Sequence, residues 1–309
     1  MLDPVKQRIV ADHTAITGRH DEPDIYGEPP DDPGLLGPDS ISWEIHGDIA
    51  SLAIAGPAAI VMEIMHPSVM AGVHDMSSYR EDPFRRARNT AGYVVTTTFA
   101  STARAESEIA RVRRMHERVN GVRPDGEPYE AIDPDLIGWV HTCIPWAVMA
   151  AFDRYCRPLS TDERDRYLAE QAIIGRLGGA GDIPETYADL QDYIERFRPH
   201  LAVNEQTRTF FEFLLTAPFG PKLPEPLARR LKLLTVQGSM SLLPAWTGEL
   251  TGLRTGGPLD RTAAEVSLQL NVRALRWAFG TPAYKALALA RVRGEAAPTV
   301  ATDALAAAF

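Results

Sequence analysis

Between Ala103 and Asn120 the apolar positions Ile109, Val112 and Val119 recur at helical spacing, and His116 falls on the same stripe. The other side carries Arg111, Arg114 and Arg118, so the pattern predicts an amphipathic helix whose core face includes an imidazole. A buried imidazole must find partners for its ring nitrogens or bear a desolvation cost of roughly 1–3 kcal/mol. A backbone carbonyl meets that need in an ordinary core histidine; a metal ion meets it in a binding site.

Helical patterns dominate the rest of the chain. Ser40 is placed to cap a segment carrying Trp43, His46 and Ile49, Gly56-Pro57 marks a break before a second helix running to Met65, and His66-Pro67 forces a turn. The β-branched run Tyr93–Phe99 resembles a strand locally, but no neighbouring run supplies a partner, so no sheet is expected from it. After the turn GVRPDGEPYEAI, Asp133-Pro134 opens a long helix with Ile137, Val140, Ile144, Val148 and Phe152 inward, His141 on or beside that face, and a kink expected at Pro145. Ser160 to Glu163 has the form of a capping box, and Gly178-Gly179 ends the helix it starts. Further helices are expected near 185–197, 205–216, 225–242 and 261–279. The fold class is all-α, a bundle or globin-like packing without repeats.

Residues 21–39 are dense in Pro, Gly and Asp, which predicts a largely irregular N-terminal arm over 1–39, one domain over 40–300 and a tail at 301–309. With 309 residues, 45% of them hydrophobic, the chain can bury a substantial core. The formal charge of −9 and the lack of a long basic cluster argue against nucleic acid as a partner. No uninterrupted apolar stretch opens the chain, and the run Ile49–Met65 is broken by Ser51, Gly56-Pro57 and Glu63, so a cytoplasmic protein without a spanning segment is expected. Leu231–Trp246, approached by Arg229, Arg230 and Lys232, has the makings of a peripheral membrane contact, but Gly238 and Pro244 interrupt it and a packed helix is the plainer reading. Cys143 and Cys156 have no CxxC spacing and read as reduced thiols.

Arginines beside a core-facing histidine suit a cofactor that carries carboxylates, such as haem with its propionates. Arg113 lies one turn before His116, and Arg86 and Thr90 share a helical face where a guanidinium and a hydroxyl can meet a carboxylate or a bound oxygen species. His66 and His74 form a second histidine pair. Glu63-x-x-His66 has the spacing of di-iron carboxylate bundles, but the chain holds no second Glu-x-x-His. No nucleophile elbow, His-Glu-x-x-His pair or phosphate-binding Gly-rich loop is present.

Taken in order, the segment His66-Pro67 to Gly72-Val73-His74, then Arg86-x-x-x-Thr90, Arg113-x-x-His116, Tyr129, and Asp133-Pro-x-Leu-x-x-Trp-Val-His141 resembles the MpaB and latex-clearing rubber oxygenase family from about Trp43 to Phe197. The resemblance implies a globin-like helical core around b-type haem, with His116 as the iron ligand and Arg86, Thr90 and Arg113 lining the haem pocket. It implies an oxygenase that uses O2 on a small apolar or alkene-containing, isoprenoid-like substrate. Asn89 stands where rubber-cleaving members place a distal lysine, and their distal glutamate has no evident counterpart, which weighs against rubber cleavage. The polar distal role then falls to Asn89, His66 or His74. His141 is the rival axial ligand, or else a propionate contact, a distal-side residue or a core histidine. Val94, Phe99, Ile144 and Met149 are expected in the cavity wall. Peroxidase or peroxygenase chemistry, with peroxide as oxidant, and a non-enzymatic haem or apolar-ligand carrier are the alternatives; a di-iron enzyme is a minor one.

Overall fold

The computed structural model describes residues 3–18, 22–76, 79, 81–216, 236–252 and 258–298, and their regular structure is almost wholly helical. The class is all-α. The elements that position the site are α1 (Pro4–Thr17), α2 (Pro23–Tyr26), α3 (Ile41–Ile45), α4 (Ile49–Ile64), α5 (Pro67–Met76), α6 (Pro83–Phe99), α7 (Thr102–His116), α8 (Pro134–Tyr155), α9 (Thr161–Gly178), α10 (Tyr187–Phe197) and α11 (Glu205–Thr216). Helices Ala245–Thr251, Pro258–Phe279 and Ala283–Val292 follow. A two-stranded antiparallel hairpin, β1 (Asn120–Val122) and β2 (Pro128–Glu130), occupies the expected turn after α7, with Gly121 opposite Tyr129.

The centre of the core is α4 against α8, the most extensive helix pair. Small residues on α4, among them Ala55, Ala58 and Ala59, let it pack with Met62 against Trp139, Cys143, Ala147 and Phe152. At 22 residues α8 is long and apolar enough to cross a membrane, but 72% of its apolar window is buried inside the protein, as befits a core helix. The chain turns by 109° between α4 and α5, at Met65-His66, and α5 packs on α11 through Met70, Val73, Phe210 and Phe211. A third cluster joins Tyr26, Trp43, Phe99 and Tyr284.

Several expectations need correction. Helix α4 runs unbroken through Pro57, and the interruption falls at residues 46–48 instead. The proline frees only the carbonyl of Ala53, which is partly exposed, so solvent can replace the lost bond. Tyr93–Phe99 is the end of α6, where the Thr97 and Thr98 hydroxyls donate to the carbonyls of Tyr93 and Val94, both at 2.8 Å. The N-terminal arm is helical in its first half, because Asp3 caps α1 with Pro4 at the first helical position and α1 finds cover against α6 and Pro258–Phe279. Most of the helix expected at 225–242, the start of Leu231–Trp246 and the tail 301–309 lie outside the described residues; 236–240 is helical.

Buried Arg291 ties the arm to the body. Its guanidinium donates to the carbonyls of Tyr26 (2.8 Å), Asp32 (2.9 Å), Phe99 (2.8 Å) and Ala100 (3.3 Å), satisfying orphan groups at the end of α6. Gly34 passes over the same point with φ +77°, and a Cβ there would meet the Ala100 oxygen at 2.7 Å.

Candidate functional site

His116 is the last residue of α7 and is partly buried against the body. Burial, and then the nearby Arg86 charge, lowers its pKa. His141, in the first half of α8, is held to about 4 by burial and then by His116, so the two imidazoles are neutral and close enough to influence each other. Neutral imidazole is the form that binds a metal. Among the described residues neither ring makes a hydrogen bond to protein.

His46 shows the contrast. Its Nδ1 lies 2.7 Å from Thr98 Oγ1 and its Nε2 lies 2.8 Å from the Tyr167 hydroxyl. Thr98 gives its proton to the Val94 carbonyl, so His46 Nδ1–H donates to Thr98 and Nε2 accepts from Tyr167. Burial lowers its pKa to about 3. That is a satisfied core histidine, and His116 and His141 are of another kind.

The niche around His141 is closely built. Tyr93 meets the ring edge-on with 5.9 Å between centroids. On α9, a Cβ at Gly178 would lie 2.9 Å from His141 Nε2, and one at Gly175 would lie 3.3 Å from its Cβ. Arg113, exposed on α7, reaches the Leu177 carbonyl at 3.4 Å, so the end of α7 is pinned to the same turn of α9.

Helix α6 supplies one face of the site, with Arg86, Thr90 and Tyr93 at successive turns. Arg86 donates to Glu63 Oε2 at 2.8 Å. Glu63 is 4% exposed, and burial pushes its pKa up while Arg86 opposes that rise. The Trp139 indole donates to the Glu63 carbonyl at 3.2 Å, and the buried Cys143 thiol, raised chiefly by burial, also feels Glu63. The pairing of Glu63 with Arg86 is what the sequence did not predict; Glu63 stood out there only as a break in an apolar run and for its spacing to His66. The signal for a pairing was a lone carboxylate in the apolar run 49–65, since a buried charge requires a partner.

Arg86, His116 and His141 are thus brought together, with Thr90 partly buried beside Arg86. Asn89 is exposed. His66 sits in the corner between α4 and α5, where its Nδ1 accepts from the Ser68 amide at 3.3 Å and its ring faces Phe197. Burial, Arg123 and His200 lower its pKa to about 4, against Asp133. His74 bonds Asp75 at 3.1 Å, and Asp75 accepts from the Tyr129 hydroxyl at 2.8 Å beside the hairpin. The contacts of His66 and His74 are therefore away from the imidazole pair. Because α4 ends at Ile64, Glu63 and His66 turn to different partners, and the di-iron spacing does not form a site. Among the described residues no three His, Cys, Asp or Glu side chains converge to hold a cation.

Of the expected wall residues, Ile144 and Met149 join the α4–α8 core, and Val94 is buried. Phe99 instead packs on Trp43 (5.0 Å) and Tyr284 (4.9 Å) in a separate cluster. An open cleft of about 540 Å³ lies at the other end of α8, beside Arg154 and Met240, roughly 20 Å along the helix from His141.

The family model described as ER-bound oxygenase mpaB/B′/Rubber oxygenase, catalytic domain, matches residues 43–281, a span that takes in every element of the site. No curated protein and no solved structure gives a significant match.

Proposed function

The chain belongs to the mpaB and rubber oxygenase catalytic-domain family, and from that membership we propose that it is a haem-dependent oxygenase acting with O2 on a small apolar or alkene-containing substrate. It is an oxidoreductase of the oxygenase class with an all-α body. The single observation that carries the haem reading is the pair His116 and His141, two neutral imidazoles without a protein hydrogen bond among the described residues, next to Arg86.

The donor set fits haem better than a bare metal ion. Iron in a porphyrin needs one axial donor from the protein, whereas a chelated ion needs three or more, and no such group converges among the described residues. His116 would be the axial donor, at the end of a rigid helix pinned by Arg113 to α9. Arg86 and Arg113 would face the propionates, and the Thr90 hydroxyl would offer a polar contact on the α6 side. When bound, haem would supply the redox-active iron for O2 chemistry. The apolar packing of α4 against α8 would exclude bulk water and favour an apolar substrate. Residues 40–300 are the domain we assign to this activity.

Purified or haem-reconstituted protein is expected to show a Soret band, and His116→Ala to lose it while remaining helical by circular dichroism. Loss in His141→Ala with retention in His116→Ala would move the axial role to His141. Folded wild-type protein with no Soret band after reconstitution would sink the haem reading.

A further inference from the structure

Glu63 is a buried carboxylate near the end of α4, and it bonds a residue of α6. Its Oε2 accepts from Arg86 at 2.8 Å, while the indole of Trp139 on α8 fixes the Glu63 carbonyl at 3.2 Å. Three helices thus meet at Glu63, α6 through its carboxylate and α8 through its backbone carbonyl. As a structural staple it is a poor choice, because burying the Glu63 carboxylate takes a charge out of water while its partner Arg86 stays about a third exposed, and an apolar residue at 63 would serve the core as well. Its location suggests another use. Arg86 lies on the same helix as Tyr93, whose ring meets His141, and α6 packs along α7, which ends at His116; Glu63 is the only acid bonded to Arg86 among the described residues.

We propose that Glu63 is a positioning residue of the haem site: through its ion pair it fixes the Arg86 guanidinium next to His116 and sets the net charge that iron held by His116 would experience. The inference rests on the haem reading above. Without Glu63 the site would carry one more unit of positive charge than the wild type, whatever else Arg86 faces, which stabilises the reduced over the oxidised iron. Without Arg86, Glu63 would do the opposite.

The reduction potential of the haem-loaded protein, measured by spectroelectrochemistry, tests this apart from turnover. Glu63→Gln keeps the shape and an acceptor for Arg86, and is expected to shift the potential to more positive values. Arg86→Gln is expected to shift it to more negative values, and the double variant to return close to wild type. Glu63→Asp, which keeps the charge, should stay near wild type. A loss of packing alone would not produce opposite shifts that cancel. Glu63→Gln with a Soret band and an unchanged potential would overturn the inference and leave the haem reading standing; wild-type protein with no Soret band would overturn both. If Glu63→Gln does not fold, an Arg86→Gln potential equal to wild type overturns it as well.

Discussion

The imidazole of His141 stands edge-on to the ring of Tyr93, 5.9 Å between centroids, and α9 closes its other side with two glycines. At both glycines a side chain on α9 would press on His141 of α8. A methyl at Gly178 would fall 2.9 Å from His141 Nε2, so Gly178→Ala must displace the ring. The helix-propensity gain of about 1 kcal/mol works the other way. Overpacking is expected to win, with a net loss of about 1–2 kcal/mol in urea unfolding and weaker haem uptake. A stabilised Gly178→Ala protein would show that the niche is slack.

Acid should weaken the fold through its buried histidines. His46 has a pKa of about 3 against its ordinary 6.5, so between those values the unfolded chain binds a proton that the folded one refuses. Its contribution is present in full above pH 6.5 and is lost as pH falls toward 3, at up to about 1.4 kcal/mol per pH unit. His66 and His141, both lowered to about 4, act with the same sign. Urea midpoints are expected to fall steadily from pH 6.5 to 4. Gln offers one donor and one acceptor, as the His46 tautomer does, so His46→Gln should flatten that slope; an unaltered slope would contradict the assignment.

Features that depend on short spacing could be read from the chain. Asp133 accepts from the Asp135 amide with Pro134 behind it, Ser160 and Glu163 cap α9 reciprocally, and Gly179 ends it in the left-handed conformation. Each is a local hydrogen bond or a local steric preference. His116 and His141 were legible for a related reason, since each breaks an otherwise apolar helical stripe. The partner of Glu63 was not legible, because Arg86 is 23 residues away on a helix whose rotation about its own axis is set by packing. Pro57 misled for the converse reason: the tertiary contacts of α4 outweigh a local helix breaker. Likewise, Tyr93–Phe99 has strand-like composition, yet burial against Trp43 and Tyr284 and threonine back-bonding keep it helical.

Arg291 should be among the costliest single positions outside the site. Arg291→Met keeps much of the apolar stem but strands four carbonyls, three of them bonded at 2.8–2.9 Å. Buried acceptors left unpaired cost about 1–3 kcal/mol each, and relaxation of the arm will recover part of that, so a loss of about 3 kcal/mol or more is expected. The loss should be local first. Hydrogen exchange of the segment 26–34 and of the α6 end is expected to speed up before the α4–α8 core responds, and uniform acceleration across the chain would argue against Arg291 as the tie between arm and body.

Ser160 provides the control that separates stability from site chemistry. Its side chain accepts from the Glu163 amide at 3.2 Å while the Glu163 carboxylate accepts from the Ser160 amide at 2.8 Å, so Ser160→Ala removes half of a reciprocal cap. Loss of an N-cap costs about 1 kcal/mol, and Ser160→Thr, which keeps the hydroxyl, should cost little. Ser160 opens the same helix that closes over His141, but from the end opposite Gly178, 18 residues or roughly 27 Å along the axis. Fraying of the first turn should therefore leave the niche intact. Ser160→Ala and Gly178→Ala are expected to lower the thermal midpoint by similar amounts, while only Gly178→Ala weakens haem uptake. Equal losses of haem in both would mean that uptake follows global stability and that the glycines have no particular relation to His141.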